Sequence, residues 1–75
     1  MTDIEKEVRA LADDLRRQHM ISRHDPHVCS NMAESYAAVG KDQSGDTRRK
    51  NLMRAAAWSL LALEAHDAEA AKAGT

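Results

Sequence analysis

Apolar residues recur at helical spacing in three stretches of this 75-residue chain. In the first, Ile4, Val8, Leu11 and Leu15 follow at intervals of four, three and four, with charged residues between them. That spacing lays a narrow apolar stripe along one face of a helix. Thr2-Asp3-Ile4-Glu5 has the form of a capping box, and Glu5–Arg9 and Asp13–Arg17 stand four residues apart on the polar side. The pattern predicts a first helix from about Asp3 to Gln18 or His19 (3–19).

Asp25-Pro26 marks the next start. Proline pushes the residue before it out of the helical region yet suits the first helical position, so Asp25 is the expected N-cap. Val28, Met32, Tyr36 and Val39 then share one face, with Ala33 and Ala37 beside it. Gly40 fits the left-handed position that ends a helix, which predicts a second helix over Pro26–Val39 (26–39). Met20 and Ile21, in the link from Met20 to His24, are expected to close one end of the core.

Lys41 to Asp46 is a polar turn containing Gly45, and Asp46 or Thr47 is the expected N-cap of a third helix over 47–71. Residues 72–75 have little to bury and are expected to fray. From Leu52 to Ala65 the third helix is apolar everywhere except Arg54, Ser59 and Glu64. Leu52, Met53, Ala56, Leu60 and Leu63 form one face; Ala55, Trp58, Leu61, Ala62 and Ala65 form the opposite one. A helix that is apolar on both sides needs cover on both. The first two helices each offer one narrow stripe, and the expectation assigns them to the Leu52 side. The other face, with Arg54, Trp58, Leu61, Ala62 and Ala65, is then left for a second copy in a homodimer or higher oligomer, or for another protein. The predicted fold is all-α: one domain over 1–75, a small three-helix bundle that associates through its third helix.

Composition supports helix over strand, since 31% of the chain is charged, Phe is absent, and there are three Gly and one Pro. A single cysteine, Cys29, excludes an intrachain disulfide and suits a reducing compartment. The formal net charge of −1 gives no electrostatic footprint for nucleic acid or a membrane surface. The turn between the second and third helices is longer than that of a DNA-binding helix-turn-helix, and the helix after it is apolar where base-reading groups should project. MTDIEKEV lacks the basic and apolar regions of a signal peptide, and no run approaches the ~20 apolar residues of a membrane span. A cytoplasmic location is the expectation.

Two constellations could carry chemistry. Arg48, Arg49, Lys50 and Arg54 crowd the start of the third helix, where the macrodipole disfavours cations. They could hold a phosphate-bearing ligand such as a nucleotide, or an acidic partner. Topology offers another explanation: the first and third helices run parallel, so this cluster lies beside Asp3, Glu5 and Glu7. At the opposite end Arg16, Arg17 and Arg23 lie near Glu64, Asp67 and Glu69. Arg54 stands apart, between Trp58 and Leu61, where a guanidinium would meet a partner's carboxylate or phosphate.

The second set is His19, His24, His27 and Cys29, joined by His66 at the end of the third helix. These are metal-ligand types, but H-x4-H-x2-H-x-C is not a zinc-site spacing, and neither metal nor cofactor is expected. No Cys-x-x-Cys pattern supports a reactive Cys29, and Glu34, Tyr36 and His27 form no acid–base pair that spacing can establish. In size, helicity and lack of catalytic groups the chain resembles the small accessory proteins of bacteriophages and mobile elements, many of which bind and block a host protein. That resemblance implies a non-catalytic protein-binding inhibitor or regulator. The alternatives are an oligomeric nucleotide binder and a histidine-rich metal-dependent module.

Overall fold

A computed structural model describes residues 2–18 and 25–73. They form three helices, α1 (Asp3–Gln18), α2 (Pro26–Lys41) and α3 (Gly45–Ala73), and no strand among the described residues. The expected Met20–His24 link and the last two residues lie outside the described set; Lys72 and Ala73 of the expected frayed tail are still helical.

The first two starts are capped as their sequence requires; the third differs, because α3 begins already at Gly45, so Asp46 and Thr47, the expected N-caps, lie inside its first turn. The Glu5 amide donates to Thr2 Oγ1 at 3.1 Å. Asp25, in an extended conformation, accepts from the amides of His27 and Val28 at 2.9 and 3.3 Å, and Pro26 follows as the first helical residue. Asp3 and Glu5 in the first turn of α1, with Arg16 and Arg17 in its last, complement the helix dipole.

The end of α2 differs from expectation. Gly40 does not stop the helix: α2 continues to Lys41, and among the described residues Gly45 is the glycine with positive φ, at 62°. Gly40 serves close packing instead. A Cβ there would lie 3.3 Å from Asn51 Cβ and 3.6 Å from both the Arg48 carbonyl oxygen and Leu52 Cδ2. Asn51, buried on the facing turn of α3, donates its side-chain amide to Gln43 Oε1 and so ties the α2–α3 connection to the interface.

The third helix is the spine of the fold. The second packs antiparallel along it with the more extensive contact, and the first lies parallel to it. The parallel sense shows in two ion pairs, Glu7 with Arg49 near the helix starts and Arg16 with Glu64 near the opposite end. The core is Ala12 and Leu15 of α1, Cys29 and Ala33 of α2, and Ala57, Trp58 and Leu61 of α3. Val8, Leu11, Met32, Tyr36, Leu60 and Ala62 pack around it.

This arrangement corrects the assignment of faces on the third helix. Trp58 and Leu61 are each 1% exposed, Ala65 is buried and Ala62 half-buried, all covered by their own chain. Leu52 and Leu63, expected inside, are 47% and 61% exposed. The physical reason is volume. One indole needs small neighbours, and Ala12, Cys29, Ala33 and Ala57 let three helices close around it at interior density. The second helix turns accordingly: Cys29, Ala33 and Gly40 face inward, while Val39, expected in the core, is 52% exposed.

Candidate interaction surface

Closing the core around Trp58 leaves a different apolar face without cover. Leu52, Ala56, Ser59 and Leu63 follow along α3 at intervals of four, three and four, and all are exposed. Ser59 adds no free polar group, because its hydroxyl donates to the Ala55 carbonyl at 2.9 Å. Alongside runs α1, whose Ile4 is 60% exposed. Between the helices lies a shallow groove lined by Ile4, Val8, Leu52, Met53, Ala56 and Leu60. Its edges carry Glu5, Arg9 and Arg49. The face is thus an apolar strip with a charged margin, the composition of a protein-contact surface. Periodicity already grouped Leu52, Ala56 and Leu63; what was missed is that this group points outward.

The basic cluster does not converge. Arg49 is bound by Glu7 through two contacts, at 2.9 and 3.2 Å. The Arg49 guanidinium holds the Glu7 carboxyl below the usual carboxylate range, and Glu7 in turn raises the pKa of Arg49. Lys50 and Arg54 share one open groove with this pair, together with Leu11 and Met53. Arg48 stands on the other side of the helix, two residues from Lys50. A carboxylate therefore sits within the group that was to receive a phosphate. At the far end Arg16 donates to Glu64, with its Nε 3.0 Å from Oε2, and also to Asp13, an environment that raises the arginine's pKa. Complementary charge along parallel helices accounts for Arg49 and Arg16; Arg17 pairs instead with Asp14 one turn back.

Arg54 faces its own chain more than expected. Its guanidinium carbon lies 5.8 Å from the centroid of the Tyr36 ring, and its Nη1 is 3.5 Å from Asn51 Oδ1. It lines a cleft of about 440 Å³ with Leu11, Asp14, Leu15, Gln18, Tyr36 and Trp58. The cleft opens between α1 and α2 on the side away from the Leu52–Leu63 strip.

Of the metal-ligand set, His19 and His24 lie outside the described residues. His27 and His66 are exposed and Cys29 is buried, and among the described residues no group of three His, Cys, Asp or Glu is placed to hold a metal ion. Cys29 lies in the first turn of α2, where a helix dipole would favour thiolate. Burial overrides this and pushes the thiol pKa up, with the carboxylates of Asp25 and Glu64 acting in the same direction. Cys29 is a core residue. No helix among the described residues is long and apolar enough to cross a membrane.

Compared with protein families, with curated proteins and with solved structures, the chain shows no match.

Proposed function

We propose that this chain is a non-catalytic helical module that acts by binding protein through the apolar strip shared by α1 and α3. One observation carries the reading. The chain completes its own core around Trp58 and still leaves Ile4, Leu52 and Leu63 about half or more exposed, at 60%, 47% and 61%, on adjoining helices. Large apolar residues gathered on one strip, with charges at the edge, lose free energy to water until something covers them. Such a module would regulate or block its partner by occupying it, as small accessory proteins do. A nucleotide at the basic cluster has less support, because Glu7 already engages Arg49 there.

The test is affinity capture from the native host with wild type and Leu63→Glu in parallel. Leu63 contributes little to its own fold, so a specific partner should be retained by the wild type and lost by the variant. A captured protein that is indifferent to Leu63→Glu would refute this surface as the contact.

A further inference from the structure

The exposed strip has a symmetry that identifies one occupant. Leu52 and Leu63 flank Ala56 and Ser59, and both pairs are centred on the same point of α3, between Ala57 and Trp58. These four residues lie within about 60° of helix surface and repeat as a heptad seam. A two-fold axis through that point, perpendicular to the helix, would lay Leu52 against Leu63 of a second copy and Ala56 against its Ser59. The small central pair lets two backbones approach closely, and the leucines close the seam at both ends.

Charge then decides the direction. Arg48 stands near the start of α3 beside the strip, and Asp67 and Glu69 stand beyond the far leucine. Among the described residues, none of these three takes part in an ion pair. In a parallel pair of third helices, cations would stack on cations and carboxylates on carboxylates. In the antiparallel pair the Arg48 end of each copy faces the Asp67–Glu69 end of the other, and the two helix dipoles also oppose. The turns after Ala65, whose described residues are all exposed, gain a surface to lie on. The first helices fall on the same side of the pair, so Ile4 and Val8 extend the strip.

Resting on the reading of this strip as a protein-contact face, we propose that its occupant is a second copy of the chain, paired antiparallel through α3 in the register Leu52–Leu63 and Ala56–Ser59. The homodimer expected through Trp58 is thereby moved to the opposite face of the same helix.

Sedimentation equilibrium of the full chain tests this. Wild type should approach twice its 8.3 kDa mass at high micromolar concentration. Leu63→Glu and Ala56→Arg, each with wild-type helicity by circular dichroism, should weaken dimerisation about tenfold or more. Register is tested by charge. Arg48→Glu and Asp67→Arg, the charges this register sets level with each other, should each weaken the dimer several-fold, and the double variant should recover it. The two positions are about 28 Å apart on one helix, so recovery can arise only between copies.

A wild-type monomer at high micromolar concentration would overturn self-pairing. If capture from the host remains sensitive to Leu63→Glu, the contact-face reading survives that result; without such capture both fall. A dimer that ignores Leu63→Glu and Ala56→Arg would overturn the face itself. A dimer broken by both but not rescued by the charge exchange would overturn the antiparallel register.

Discussion

Replacing Trp58 by alanine should unfold the chain or bring it to the edge of unfolding. The indole is 1% exposed and is, with Leu61, one of the two large apolar side chains wholly inside the core among the described residues. Aromatic-to-alanine changes in cores cost about 3–5 kcal/mol, rising with the cavity that remains. The upper half of that range applies here. Ala12, Ala33 and Ala57 of the same core cluster are fixed to their backbones and cannot swing into the void, so three helices would have to shift together. A lone core in a chain of this size yields only about 3–5 kcal/mol net, so the loss rivals the whole. Far-ultraviolet circular dichroism through a urea titration is the assay, because the variant has no tryptophan to report fluorescence. Leu63→Ala, at a site 61% exposed, is the control and should change stability by no more than ~0.5 kcal/mol in dilute protein. A Trp58→Ala chain with wild-type helicity and a loss under ~1 kcal/mol would refute the packing described for this core.

Three further perturbations probe separate parts of the fold. Gly40→Val should destabilise by about 1–3 kcal/mol through overpacking against Asn51 and the Arg48 carbonyl; a neutral urea midpoint would mean that α2 does not press on α3 there. Gly45→Ala should cost about 1–2 kcal/mol although nothing lies within 4 Å of the added carbon, since the penalty comes from φ at 62° alone; Gly45→Asn should recover part of it, and equal stability of all three in thermal melts would contradict that backbone. The Glu7–Arg49 pair predicts a pH signature. Arg49 lowers the folded-state pKa of Glu7, so the stabilisation is present above the unfolded value of about 4.3 and is lost as pH falls below that through the folded value. Arg49→Gln should therefore narrow its stability gap from wild type in acid, and a gap independent of pH would refute the pairing.

How much was legible in advance is clearest residue by residue. Thr2, Asp25 and Pro26 announce helix starts because capping is a matter of a few atoms close in sequence. The parallel placement of α1 and α3 followed from connectivity, and with it the facing charges of Glu7 with Arg49 and Arg16 with Glu64. Gly40 was misread because a glycine after an apolar run is compatible with a left-handed stop and with close helix contact. Only the facing Asn51 tells the two apart.

Local spacing by itself determined that there are three helices, where the first two begin, and that α3 carries more apolar surface than two narrow stripes can cover. Each of these depends on contacts within a few residues along the chain. Which side of α3 goes inward was decided only in three dimensions, because periodicity ranks faces by hydrophobicity and is blind to fit. The Trp58 side won: its one large ring is matched by small residues on both neighbouring helices, while the Leu52–Leu63 side, equally apolar, had no such complement within the chain and was left outside.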